Sequence, residues 1–216
     1  MSLLSGFWDK TIAMEKWIER KEIYRGKVFS VDSGKVELDD GLIAGRDVVR
    51  HSGGVAIVPV LVSHRENLEQ NAQKNLVGNS GSGDIESGLS VIFVKQYRIA
   101  IEREILEIPA GLIEKGERPA VAARRELIEE TGYDAELLVP GPECYASCGF
   151  TDERLHIYLA FDLKKAVKNH DVDERIEEVI MPMEEVKKRL AEKGFEDAKT
   201  IIGLHEMFRY LDKNTR

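Results

Sequence analysis

The sequence predicts a mixed α+β fold, and three observations carry that expectation. Alternating and apolar segments between residues 21 and 62 read as strands. A segment near residue 120 is punctuated like a helix, with Pro119 in its first turn and Gly132 just past its end. Two amphipathic segments follow beyond residue 183. With 216 residues, 43% of them hydrophobic, the chain can bury one sizeable core and support a small accessory element.

Each element follows from local chemistry. Residues 1–20 are expected to form a short helix or a loose arm. KEIYRGKVFSVD (21–32) and GKVELDD (34–40) alternate as strands, with VDSG and DDG as turns between and after them. RDVVRH (46–51) continues the pattern. GGVAIVPVLV (53–62) is a continuous apolar run and predicts a central strand buried on both faces. Residues 63–88 are rich in Asn, Gln, Ser and Gly and lack a period. Such a segment cannot bury enough apolar area to offset its ordering entropy, and it is read as a long mobile insertion between two strands. Strands resume at 90–98 and 104–111, and later near 133–140, 154–163 and 176–182. The middle helix spans Pro119 to Thr131, with Val121, Ala122, Leu127 and Ile128 expected on its buried side. Helices follow at 183–194 and 195–211. In the last, Ala198, Ile201, Ile202, His205, Phe208 and Leu211 recur at helical spacing and predict a docking face, with His205 at the core's edge.

Composition narrows the function classes. The net charge of -8 argues against a nucleic-acid backbone as partner, though a bound cation reverses the local field for a small anion. No apolar run approaches a membrane span, and no leader pattern opens the sequence, so a cytoplasmic protein without a membrane partner is expected. Cys144 and Cys148 have no zinc spacing and read as reduced thiols.

The chemistry concentrates in GLIEKGERPAVAARRELIEETGY, Gly111 to Tyr133. Glu126 and Glu130 are four apart and share one helix face, and Glu129 flanks the same edge. Like charges at that spacing repel, at a cost of about 0.2–0.5 kcal/mol per pair. A divalent cation reverses the sign: Mg²⁺ takes oxygen ligands and keeps open positions for phosphate oxygens. Arg125 can turn back to Glu117 or Glu129 and hold a carboxylate by a bidentate contact. A solvated charged helix is the plain alternative.

The whole spacing decides against that alternative. Gly111, five residues, Glu117, seven residues, Arg125-Glu126-Leu127, one residue, Glu129-Glu130, one residue, Gly132 and an apolar residue resemble the Nudix box at every specified position. The resemblance implies the Nudix fold, a mixed sheet sandwiched between helices, and metal-dependent hydrolysis of a nucleoside diphosphate linked to another moiety. It implies Mg²⁺ or Mn²⁺ on Glu126, Glu129 and Glu130, with Glu117 supporting and the Ala110 carbonyl as a further ligand.

Outside the box the chain resembles the ADP-ribose pyrophosphatase branch from about Glu22 to Leu211, in VKQYR (94–98), EIPAGLIEKGE (107–117), YRGKVFSVD (24–32) and EDAKTIIGL (196–204). This implies an N-terminal antiparallel sheet within residues 1–52 that serves a homodimer, and a hydrolase domain over 53–216. Arg98 is a candidate diphosphate clamp, because guanidinium matches phosphate geometry. Glu107 is a candidate for a ribose hydroxyl or a metal-bound water, or else a salt-bridge partner. Phe29 stacks on adenine or belongs to the core; Trp17 and Tyr24 share that ambiguity. The catalytic base is expected outside the box. Glu174 is favoured, with Glu153 as a metal or water ligand; Glu153 as base is the other version. The chief departure is Ser147-Cys148-Gly149, where the branch usually carries proline before the glycine. That predicts a differently shaped loop and raises GDP-mannose or a broad range of nucleoside diphosphate sugars as the alternative substrate. A catalytically silent nucleotide-binding regulator is a further alternative, against which the intact set of box glutamates counts.

Overall fold

The computed structural model describes residues 14–62, 88–167 and 175–214. The chain divides into two compact units. One takes the described residues up to Ser52 together with Tyr145–Glu153; the other takes Gly53–Cys144 and the residues from Arg154 onward.

In the first unit, β1 (Lys16–Arg25), β2 (Phe29–Glu37) and β3 (Ile43–His51) form an antiparallel sheet in that order. Three sequence expectations are corrected here. Residues 16–20 belong to a strand, not to a helix or arm, because β1 pairs with β2 from Lys16↔Glu37 to Arg25↔Ser30. Residues 21–32 are two strands, with a turn closed by the Gly26 N–H donating to the Phe29 carbonyl at 2.9 Å. The VDSG stretch is no turn; it runs straight through β2. Gly34 is there because β1 bulges between Trp17 and Glu19, and a β-carbon on Gly34 would lie 2.0 Å from the Glu19 carbonyl oxygen. The DDG turn forms as expected, with the Leu42 N–H bonded to the Asp40 carboxylate at 3.0 Å. Residues 147–153 are tied to β3: the Val49 N–H donates to the Phe150 carbonyl at 2.8 Å, and Asp152 accepts from the His51 N–H at 2.9 Å and from Arg50 at 3.0 Å.

The second unit is a seven-stranded mixed sheet of β4 (Gly54–Val62), β5 (Leu89–Arg98), β6 (Arg103–Glu107), β7 (Ala110–Leu112), β8 (Tyr133–Tyr145), β9 (Arg154–Lys165) and β10 (Glu177–Pro182). Its main path is β10-β5-β4-β9-β8, with β6 on β5 and β7 on β4. β4 is central, as its apolar run predicts, and pairs parallel with β9. On its other edge it meets β7 over Gly54–Ala56 and β5 over Val60–Val62. Pro59 pairs with Ala160 of β9 and falls, on the other edge, between the β7 and β5 ladders.

Helices α1 (Pro119–Thr131), α2 (Met183–Ala191) and α3 (Ala198–Asn214) cover both faces. β4 shows how. Val55 and Ile57 point to one side and pack with Ala122, Ala123 and Leu127 of α1. Ala56, Val58 and Val60 point to the other and pack with Leu204 and Met207 of α3 and Val186 of α2. Fully burying one such Leu or Met side chain contributes about 1.5–3 kcal/mol.

Both amphipathic expectations were rotated. The buried face of α1 is Ala122, Ala123, Leu127, Glu130 and Thr131, while Val121 is 44% exposed and Ile128 only partly covered. Small residues face the sheet because the helix lies close to it, and the larger Val121 and Ile128 border a shallow outer hollow with Arg124, Arg125 and Glu129. On α3 the buried residues are Thr200, Gly203, Leu204 and Met207, flanked by Ile201, Phe208 and Leu211. His205 and Ile202 are exposed, so His205 is a surface residue and not a core-edge one.

Candidate metal centre and substrate side

The box folds as a loop and helix. Pro119 starts α1, and Gly132 ends it in the left-handed region (φ 71°), its N–H donating to the Ile128 carbonyl at 2.8 Å. Arg125 is the hub. Its Nε and Nη2 donate to the two oxygens of Glu117 at 3.1 and 3.0 Å, and its Nη1 reaches Glu126 at 2.7 Å and Glu129 at 3.0 Å. It also donates to the Leu112 carbonyl at 2.9 Å. The sequence offered Glu117 or Glu129 as its partner; the structure joins both and adds Glu126. The Glu117 hydrogen bond first, and then Glu126 and Glu129, hold the guanidinium pKa above its ordinary value against the effect of burial. In return Arg125 holds Glu117 below the ordinary carboxylate value.

Glu126 lies against β7. A β-carbon on Gly111 would sit 2.0 Å from the Glu126 carboxylate carbon, so the first glycine of the box is a close-approach residue. Glu130 is 4% exposed and accepts the Ala110 N–H at 2.9 Å.

The segment from Glu107 to Ala110 is held residue by residue. Arg98 grips Glu107 with two hydrogen bonds, 2.7 and 2.9 Å, and Lys199 donates to the same carboxylate. The Ile108 N–H donates to Thr200 Oγ1 at 2.9 Å, and the Pro109 carbonyl accepts the Ile57 N–H at 2.8 Å. Ala110 is tied to Glu130, as above. Glu107 is therefore a salt-bridge carboxylate, 3% exposed. Burial raises its pKa, but the Arg98 hydrogen bonds and the Lys199 charge outweigh that and leave it lowered. Sequence reasoning missed Lys199, Asp197 and Thr200. The readable signal was Asp197 immediately before α3: its carboxylate accepts the Thr200 N–H at 2.9 Å, an N-terminal cap.

The remaining candidates lie in the first unit, except Glu174, which falls outside the described residues together with most of the 63–88 insertion. Phe29 is 41% exposed at the start of β2, its ring 5.5 Å from Tyr24. It is not core. It lines a hollow of about 480 Å³ with Arg20, Arg25, Lys27, Arg50 and His51. Glu153 is half-buried, one carboxylate oxygen 4.0 Å from His51 Nδ1. Its loop is a closed turn: the N–H groups of Phe150 and Thr151 donate to the Ser147 carbonyl at 3.2 and 3.0 Å. Proline would preset that turn at position 148, and cysteine leaves it closed.

Among the described residues no three acidic, histidine or cysteine side chains converge as metal ligands. The donor chemistry nevertheless fits a hard cation. The Ala110 carbonyl on β7, Glu117 on the loop that follows it, and Glu126, Glu129 and Glu130 on α1 are all oxygen donors. Among the described residues no helix is long and apolar enough to cross a membrane.

A buried sheet carrying an acidic loop–helix of this spacing defines a class, and the comparison with known proteins agrees. The chain matches the NUDIX domain over residues 84–202 and belongs to the Nudix family, whose members generally depend on a divalent metal. It is a Nudix hydrolase close to the ADP-ribose pyrophosphatases. It is 36% identical to the ADP-ribose pyrophosphatase of Bacillus subtilis (strain 168), covering 88% of this chain and 90% of that protein. It is 33% identical, over the same shares, to the methanol dehydrogenase activator of Bacillus methanolicus. A crystal structure of an ADP compounds hydrolase shares the fold, with a TM-score of 0.73 at 21% identity over 96% of this chain and all of that one.

Proposed function

We propose that this hydrolase cleaves the pyrophosphate bond of ADP-ribose with water, giving AMP and ribose 5-phosphate. The observation that carries the reading is the intact box, whose carboxylates are gathered around Arg125 and under Gly111. Glu126 and Glu130 would hold Mg²⁺ or Mn²⁺, with Glu129, Glu117 and the Ala110 carbonyl as further donors. A bound divalent cation supplies neutralisation of phosphoryl oxygens and a more acidic water. The protein's own groups do the rest. Arg125 keeps Glu117 ionised and in place. Arg98 clamps the diphosphate through guanidinium donors that Glu107 leaves free. Phe29 offers a face to adenine. Glu174 accepts the proton of the attacking water, with Glu153 as a water or metal ligand. Residues 1–52 form a dimerisation element and 53–216 the hydrolase domain; the protein works as a cytoplasmic homodimer without nucleic acid.

The test is product analysis with Mg²⁺ and ADP-ribose beside GDP-mannose and NADH. AMP and ribose 5-phosphate from ADP-ribose, lost in Glu130→Gln, support the reading; turnover of GDP-mannose alone replaces it with the alternative substrate. A GDP-mannose pyrophosphatase of Cronobacter sakazakii, 33% identical over 55% of this chain and 66% of that protein, keeps that alternative in view. A second reading, activation of a methanol dehydrogenase, rests on the Bacillus methanolicus relative and is checked by adding the chain to that dehydrogenase's assay.

A further inference from the structure

We infer that Lys199 is a positioning residue for the phosphate clamp Arg98, acting through Glu107. This rests on the proposed role of Arg98. Glu107 takes two of the five guanidinium N–H donors, at Nε and Nη2, and leaves three for a ligand. That division lasts only while the Glu107 carboxylate keeps its orientation. The carboxylate is nearly inaccessible, and Arg98, 43% exposed, compensates only part of a buried charge.

Lys199 supplies the remainder. It is 13% exposed and donates to Glu107 Oε2, the oxygen that also accepts Arg98 Nη2. Its own place is set from α3: Asp197 Oδ1 is 3.0 Å from Nζ, while Asp197 Oδ2 accepts the N–H of Thr200 at 2.9 Å and its hydroxyl at 2.6 Å. A continuous polar chain therefore runs Thr200, Asp197, Lys199, Glu107, Arg98. The charges matter as well. Arg98 and Lys199 balance Glu107 and Asp197. Without Lys199 the group carries one net negative charge at the place where an anionic diphosphate arrives, and Glu107 is free to turn. Lys199 touches no substrate in this scheme.

The test is a mutant cycle on the full chain, using Lys199→Met, Lys199→Arg, Lys199→Gln and Arg98→Lys. Two readouts are taken: KM and kcat with ADP-ribose and Mg²⁺, and the Kd of ADP by calorimetry without metal. Lys199→Met is expected to raise KM and Kd by about 10- to 100-fold, the scale on which partners behind a ligand-holding group act, with kcat little changed. Lys199→Arg restores most of the affinity. In the Arg98→Lys background the Lys199 change adds little, because its target is gone. Lys199→Gln, which keeps a donor near Glu107 without the charge, serves if the methionine variant unfolds, and it too raises Kd. Equal losses in both backgrounds, or a lower melting temperature with unchanged KM and Kd, would overturn the inference and leave a merely structural lysine. ADP binding with the expected coupling but no ADP-ribose turnover sinks the proposed function and keeps the inference. A wild type that does not bind ADP sinks both.

Discussion

Gly34 in the N-terminal sheet and Gly111 at the box entrance pose the same geometric demand. At each, a β-carbon would fall 2.0 Å from a neighbour. The neighbour differs. Beside Gly34 it is the Glu19 backbone carbonyl, part of a paired strand; beside Gly111 it is the end of the Glu126 side chain. Backbone in a ladder cannot retreat without breaking pairs, whereas a carboxylate can swing about its own torsions. The first glycine thus guards the fold and the second guards the chemistry.

The largest effect that would sharpen this contrast is expected at the helix. Glu130→Gln keeps an acceptor for the Ala110 N–H but removes a charge, and should cut kcat on the order of 10²–10³-fold, as losing one preorganised electrostatic partner does. Unfolding in urea should barely move, and a large stability loss would break the assignment of Glu130 to chemistry. Next comes Gly34→Ala, which should cost about 3 kcal/mol in urea unfolding, at the upper end of overpacking. Gly111→Ala should cost only about 1 kcal/mol of stability while turnover falls well below the wild type's. If the two alanine variants lose stability equally, the distinction between a backbone and a side-chain neighbour fails.

Smaller effects follow from charge. The Glu117 pKa is held below its ordinary value of 4.5, chiefly by the Arg125 hydrogen bond. A lowered folded pKa contributes stability above the unfolded value and loses it as pH falls through the folded one. The urea midpoint should therefore drop as pH falls below about 4.5, and by less in Arg125→Gln. An unchanged slope in that variant would mean other carboxylates carry the acid response. The smallest expected change is Cys148→Pro, a gain of about 0.4–1 kcal/mol, because the turn closed on Ser147 already suits a proline. A loss there would mean the backbone at 148 differs from what a proline accepts.

The same contrast explains what was legible. The box could be read because its partners are close in sequence: Glu117, Arg125, Glu126 and Glu129 satisfy one another within one loop and one helix turn. The central strand was legible because burial on both faces leaves a continuous apolar run. The course of β1 and β2 was not, since Asp32-Ser33-Gly34 carries turn chemistry while the reason for Gly34 lies on another strand, at Glu19. Nor were the buried faces of α1 and α3. Periodicity marks a stripe but not how near the helix approaches, and close approach selected Ala123 and Gly203 over Val121 and Ile202. Lys199 was invisible for the same reason, its partner Glu107 being 92 positions away.

That separation has a kinetic side. The helix of the box can form from contacts a few residues long, in the sub-microsecond range of helix–coil relaxation. The Ile108–Thr200 bond instead closes a loop of 92 residues, and long loops impose an entropic delay. We expect refolding to assemble the cation-binding face before the clamp that faces the diphosphate. In stopped-flow refolding, cation-dependent fluorescence or protection of the 119–131 amides should therefore recover ahead of ADP binding; simultaneous recovery would refute this order. A chain caught between the two stages would capture a cation without yet being able to grip a nucleotide.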